Sequence, residues 1–328
     1  MARVVLHIGT HKTASTAIQD TFAANAALLA RHGLIYPALG TVSGHHGLAS
    51  DWIPLAPVYR LPQTSREVFR NLARKYAHFE GTLFLSTEEF SRCDDGGIDL
   101  SEIRELLSDF EAIELICLLR EQWQFLQSVY LEMSKRRLPP PPPHIVKNGI
   151  KTGKVDGLFL DYNLLIDRLE RAFSPEEITL LDYGSCKASD GGVIASLLRA
   201  LGVDVAHEEM KLVNGGQSNV SPMPLASWLA NVLAQPKVAP PWLVNRCAAL
   251  IKSSHGEDVA TCIFSRPEFD MLRAHFDPLN EKLARRRQSL QPDFRITSSS
   301  PPEPAVFRGG LEAGFWPKTA RHFVQDRL

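Results

Sequence analysis

Val4-Val5-Leu6-His7-Ile8-Gly9-Thr10-His11-Lys12-Thr13-Ala14-Ser15-Thr16 is the stretch whose reading decides the fold of this chain. The apolar run Val4–Ile8 predicts a buried strand. Gly9 breaks it, and Lys12-Thr13-Ala14-Ser15-Thr16 leads into a segment with helical spacing. A strand, a tight turn carrying a lysine and hydroxyls, and a helix N-terminus together make an anion cradle. The first N–H groups of a helix have no partner within it, and they attract phosphate or sulfate.

The pattern is not that of an ordinary nucleoside-triphosphate loop, G-x-x-x-x-G-K-[ST]. Gly9 lies three positions before Lys12, and no glycine directly precedes the lysine. The order lysine, hydroxyl, small residue, hydroxyl, hydroxyl instead resembles the 5′-phosphosulfate loop of sulfotransferases that use 3′-phosphoadenosine 5′-phosphosulfate (PAPS). The bacterial branch of that family is the most similar. Ala14 stands where the family has glycine, and an alanine there asks for a helical backbone. The resemblance implies that Lys12 acts at the bridging or leaving oxygen. It assigns His11, Thr13, Ala14, Ser15 and Thr16 to the sulfate and 5′-phosphate. The reading without a ligand is a plain strand-turn-helix connection with a surface lysine.

A second motif follows a second apolar run, Glu114–Leu119. Arg120 ends that run, and Glu121–Arg137 has helical spacing, with Trp123, Leu126, Tyr130 and Met133 on one face. Ser128 lies about 140–200° around from that face, so it is not expected in the core and shares a side with Glu121 and Gln124. An arginine at a strand end and a serine on the next helix resemble the family's 3′-phosphate site. The guanidinium fork matches phosphate oxygens and stays charged. Tyr183, after the apolar run Ile178–Asp182, resembles the tyrosine that the family places near the adenine; packing at a strand end is the alternative.

Sulfuryl transfer also needs a base for the acceptor's proton. Thr87-Glu88-Glu89-Phe90-Ser91 follows the apolar run Thr82–Ser86, where the family often has a glutamate or histidine. Glu88 is therefore the first choice and Glu89 the second, and at least one of these neighbours must be structural. Their other reading is the acidic start of a helix. His45 and His46 are rivals because imidazole titrates in the right range, although a histidine pair in a loop is expected to be exposed. His7, inside the strand, is expected to be packed.

Composition agrees with an enzyme of this kind and excludes others. The 328 residues suffice for a large α/β domain, and a formal net charge of −1 gives no basic field for nucleic acid. Lys135-Arg136-Arg137 and Arg285-Arg286-Arg287 read as solvated helix ends. Five scattered cysteines, Cys93, Cys117, Cys186, Cys247 and Cys262, show no zinc or redox spacing. No leader and no apolar run near the ~20 residues needed to span a bilayer is visible, so the expected location is cytoplasmic. Neither a metal nor a transmembrane segment is expected.

The predicted succession is a strand at 3–9, a helix at 14–32 closed by Gly33, a helix at 66–79, a strand at 82–86 and a helix at 101–110. The strand at 114–119 and its helix come next. Five consecutive prolines, Pro139–Pro143, cannot be helix interior and predict an extended, stiff segment; the stretch on to about Gly157 has little periodicity and reads as an excursion over the active-site side or, equally, as a plain surface connector. A helix at 158–173, a strand at 178–182 and a helix at 190–201 closed by Gly202 follow. Val213–Trp228 and Phe276–Arg285 are similar to segments of bacterial sulfotransferase-like proteins. Residues 291–306 are rich in proline and serine and predict a mobile linker.

The fold class expected is α/β, a three-layer P-loop-like sulfotransferase fold with a central, mostly parallel sheet flanked by helices. The domain is expected over 1–290, with a linker and tail at 291–328. The resemblance implies a PAPS-dependent transferase acting on a hydroxyl or amine, with a glycan, a lipid-linked sugar and a small alcohol all compatible as acceptor. A module that binds PAPS or its desulfated product PAP without catalysis remains an alternative. So does a small-molecule kinase, with Asp182 as the stand-in for its metal ligand.

Overall fold

Alternation along four apolar runs builds a sheet with two covered faces. The computed structural model describes residues 2–92, 97–213 and 221–325, with side chains as far as Arg321. Cys93 and residues 214–220 of the Val213–Trp228 match lie outside the described residues. In chain order the first elements are β1 (Ala2–His7), α1 (Ser15–Ala24), α2 (Ala26–Arg31), β2 (Leu34–Ile35), α3 (Ser65–Tyr76), β3 (Gly81–Ser86), α4 (Leu100–Leu106) and β4 (Ala112–Leu119). Then come α5 (Gln122–Met133), α6 (Pro142–Thr152), β5 (Lys154–Val155), β6 (Leu158–Phe159), α7 (Tyr162–Leu169), β7 (Ile178–Asp182), α8 (Tyr183–Ala188) and α9 (Gly192–Leu201). The last are α10 (Pro224–Ala234), α11 (Pro241–His255), β8 (Ala260–Cys262), α12 (Arg266–Arg287), β9 (Ala305–Phe307) and α13 (Phe315–Gln325).

The chain divides into two compact units. The first comprises residues 1–121, 157–219 and 279–297, and the second 122–156, 220–278 and 298–328. The first unit holds a five-stranded sheet in the order β2-β3-β1-β4-β7, and every neighbouring pair is parallel. Val4, Leu6, Leu83, Leu85, Leu115, Cys117, Ile178 and Leu180 face one core, packed with Phe69, Leu72, Tyr162, Leu165 and Ile166 from α3 and α7. Val5, Phe84, Ile116 and Leu118 face the other, packed with Ile18, Phe22, Leu29, Leu197 and Leu201 from α1, α2 and α9. Period-2 alternation thus gives the three layers helix, sheet, helix. From β1 the chain goes to one side for β3 and returns on the other for β4. The carboxyl ends of β1 and β4 therefore stand where connections diverge, the place where open parallel sheets bind ligands. In the second unit α10 and α11 pack around Leu225, Leu229, Cys247 and Ile251, and β8 pairs with β9 in parallel.

Several expectations are corrected. The helix expected at 14–32 is two helices, broken at Asn25, whose side chain takes the N–H and the carbonyl of Lys211 at 2.9 and 3.0 Å. The proline run expected to be extended leads at Pro142 into α6, which fills most of the stretch to Gly157 read as lacking periodicity. Pro142 and Pro143 occupy its first turn, where a missing N–H costs nothing, and Ile145 and Val146 are buried. The helix expected at 158–173 is confined to α7, with β6 before it. Within 291–306 the Gln291 side chain brackets Leu180 (3.0 and 2.9 Å), and the chain goes on to β9. Arg287 is not a solvated helix end. It is 1% exposed and donates to the carbonyls of Pro175 (2.9 Å) and Ile178, while Arg286 pairs with Asp167 and Glu170.

Candidate anion site at the end of the first strand

The loop after β1 stays tied to β4. Ile8 and Thr10 donate their N–H groups to the carbonyls of Ile116 and Leu118 at 3.0 and 2.7 Å, and Leu118 N–H bonds Gly9 O. Gly9 has φ +86°, and a Cβ there would lie 2.7 Å from Glu88 Cβ. Glycine is needed both for the backbone and for the approach of Glu88. Beyond it the chain is left-handed at Lys12 (φ 62°) and again at Ala14 (φ 65°, ψ 22°), with Thr13 between them outside that region. Alternating handedness turns successive N–H groups toward one side, an anion-binding nest. Ala14 is thus left-handed, contrary to the helical backbone expected from sequence. It is the N-cap of α1 in the conformation that glycine adopts without penalty.

The start of α1 has no side-chain cap and no acid in its first turn. Ser15 Oγ is buried and makes no hydrogen bond. Thr13 is buried, and its hydroxyl donates to Thr10 O at 2.5 Å, so it faces the loop's own interior. Thr16 is exposed. The residues present fit a bound phosphate or sulfate: outward N–H groups, an unsatisfied hydroxyl, and Lys12 in the same turn.

Arg120 reaches this loop from the end of β4. Its Nη1 donates to Lys12 O at 3.0 Å, and its guanidinium lies 5.2 Å from the centre of the Tyr183 ring. The Tyr162 hydroxyl donates to Arg120 O at 2.5 Å. Burial pulls the Arg120 pKa down, with Tyr183 and Tyr162 acting in the opposite direction. Lys12, Arg120 and Tyr183 are therefore brought together at the ends of β1, β4 and β7. Ser128 lies on α5 in the second unit, and it is buried, not on a solvated face.

The acidic pair after β3 sits in two different environments. Glu89 is buried and bonded to Arg92 at 2.5 Å, with His11 Nε2 4.0 Å away. Glu88 packs against Gly9, accepts from Gln19 Nε2 at 3.1 Å through Oε2, and has His46 Nδ1 3.8 Å from the same oxygen. His45 and His46 are buried, contrary to expectation. His45 Nδ1 accepts the Ser86 N–H at 2.9 Å, so its Nε2 carries the proton and donates to Pro37 O at 2.8 Å. Burial pushes its pKa down to about 4, and both nitrogens are engaged. His7, packed as expected, contacts Ser86 Oγ at 2.8 Å, and burial lowers it to about 4. Burial also lowers His11 to about 4, opposed by Glu89.

Two residues here were not singled out from sequence. Gln19 is a buried polar side chain on α1, four residues after Ser15 and so on the same face. A second polar residue one turn after Ser15 was the available signal. Tyr162, which holds the Arg120 backbone, carried none, because the contact spans 42 positions.

No protein-family model matches the chain, and no curated protein matches it. Among solved structures it is similar to a sulfotransferase from Alicyclobacillus acidocaldarius, at 14% identity and TM-score 0.42, covering 76% of this chain and 96% of that one. It is similar to the sulfotransferase domain of the Synechococcus PCC 7002 olefin synthase, at 15% identity and TM-score 0.38, covering 75% and 86%. It is also similar to the mouse sulfotransferase SULT7A1 complexed with PAP, at 12% identity and TM-score 0.37, covering 89% of each chain.

Proposed function

We propose that the protein is a PAPS-dependent sulfotransferase, moving a sulfuryl group to a hydroxyl or amine of a carbohydrate or of another small or lipid-linked metabolite. The observation that carries the reading is the start of α1. A left-handed pair brackets Thr13, no side chain caps the helix, and a buried Ser15 hydroxyl has no partner. The loop's sequence order gives this anion site its chemistry. PAPS supplies the activated sulfuryl group.

In this reading the backbone N–H groups of residues 13–16 and the Ser15 hydroxyl bind the 5′-phosphate. His11 borders the sulfate, and the Lys12 ammonium neutralises charge on the departing oxygen. Arg120 takes the 3′-phosphate; the resemblance adds Ser128 to it and places Tyr183 at the adenine. Glu88 is the base. Its Oε2 is held by Gln19, while Oε1 makes no hydrogen bond to a described residue. Glu89, locked to Arg92, is structural. The transferase domain is taken as 1–290 and the location as cytoplasmic. No helix of the described residues is long and apolar enough to cross a membrane.

The test is calorimetric binding of PAPS, PAP and ATP with magnesium to the full chain, with K12A and R120A alongside. PAPS and PAP should bind and ATP-magnesium should bind weakly, with R120A losing PAP most strongly. Preference for ATP-magnesium, with R120A indistinguishable from wild type, would sink the proposal. Labelled-sulfate transfer screened over glycan, lipid-linked and alcohol acceptors then names the acceptor.

A further inference from the structure

The second unit contains a cleft of about 690 Å³ formed where α10 ends, α11 begins and α13 crosses them. That size lies within the range of small-molecule sites, and apolar walls with few polar groups are their usual character. Of the ten large hydrophobic side chains exposed among the described residues, four line this one cleft: Leu233, Val238, Trp242 and Trp316. Trp242 is 61% exposed and Trp316 40%. Scattered single apolar side chains are ordinary on a surface, but a cluster around a concavity marks a binding site.

Polarity selects the occupant. Thr319 turns its hydroxyl back to Phe315 O at 2.9 Å, so it presents only its methyl group. Among the described residues Lys237 is the one charged residue of the lining, and no ion pair holds it. No carboxylate of the described residues lines the cleft. A single positive charge beside an apolar hollow complements one negative charge attached to an apolar body.

We infer that this cleft binds a monoanionic amphiphile with a single aliphatic chain, its head group at Lys237 and its chain between Trp242 and Trp316. The inference does not depend on the sulfotransferase reading, because no residue of the sulfate-donor site takes part in it.

Titration of the full chain with octanoate, decanoate and dodecanoate, below their micellar concentrations, tests it by calorimetry and tryptophan fluorescence. Binding of one molecule per chain is expected, tightening about fourfold per added methylene. Dodecyltrimethylammonium should bind at least tenfold more weakly than dodecanoate. K237E should weaken dodecanoate at least tenfold with unfolding unchanged, since Lys237 is exposed. A320W, which fills the hollow, should abolish binding, and W242F should remove most of the fluorescence change. Equal affinity for the two head groups, no dependence on chain length, or wild-type binding by K237E and A320W would overturn the inference. Adsorption to phosphatidylglycerol vesicles without binding of monomeric dodecanoate would overturn it in favour of a membrane-facing patch.

Discussion

Two helices of the first unit begin in opposite ways. The start of α3 is closed by the chain itself. Thr64 and Glu67 form a reciprocal capping box, and the Asp51 carboxylate accepts the N–H groups of Ser65 and Arg66 at 3.1 Å each. The helix has been given an internal anion. The start of α1 has none: no cap, no acid, and a buried hydroxyl without a partner. Both ends obey the same requirement that unpaired N–H groups meet an acceptor. One meets it with residues of the chain; at the other, no side chain of the chain caps the helix, which in the proposed reading leaves the place to a ligand anion. The surroundings differ as well. Asp51, Arg66 and Glu102 form an ionic cluster at α3, whereas three histidines of β1, the loop before α1 and the segment beside Ser86 are held largely neutral by burial.

Acid should break this contrast most strongly. The pKa values of His7, His11 and His45 are lowered from 6.5 to about 4 in the fold. Below pH 6.5 the unfolded chain therefore binds more protons, and stability is lost progressively as pH falls toward 4. Each group contributes up to about 1.4 kcal/mol per pH unit. Urea midpoints at pH 7.0, 6.0 and 5.0 should fall, and H45N should flatten the slope; an unchanged midpoint would rule out neutral burial. Next in size, R120A should weaken PAP about a hundredfold, the order of a lost charged phosphate contact, whereas D51A should leave PAP affinity unchanged. D51A should instead cost about 1–3 kcal/mol in urea unfolding, because it strips α3 of its internal anion. Ser15→Asp would make α1 resemble α3: PAP affinity should drop at least tenfold by calorimetry, and equal affinity would refute the open-end assignment. The smallest effect is expected of Ala14→Gly. Relief of the left-handed alanine outweighs the added chain entropy, for a gain of about 0.5–1 kcal/mol in the same urea assay.

Legibility in the sequence followed the range of the interaction. The strands at 82–86, 114–119 and 178–182 were readable because alternation and apolar runs are local, and Gly202 closed α9 because its left-handed φ of 66° is a local demand. Asn25 was unreadable as a helix break, since its partner is Lys211. Arg287 read as solvent-facing, because nothing nearby in sequence announces the carbonyls of Pro175 and Ile178. The proline run was read as extended throughout, when tolerance of proline in a first turn admits Pro142 and Pro143 to α6. Of the candidate site, Lys12 and Arg120 were named from motif order. The different surroundings of Glu88 and Glu89 were not, because they depend on which of them meets Gly9 and Gln19 and which meets Arg92.

By itself the sequence determined that a buried strand runs into a polar turn and a helix, and that a second strand ends in an arginine. These are facts of residue order, and the physics behind them acts within a few positions. Only the tertiary structure decided that Ala14 is left-handed, that Ser15 lacks a partner, that Arg120 closes onto Lys12 and that His45 is sealed by Ser86 and Pro37. Each of these depends on which distant backbone groups the parallel sheet places side by side, and on how far burial removes water from them.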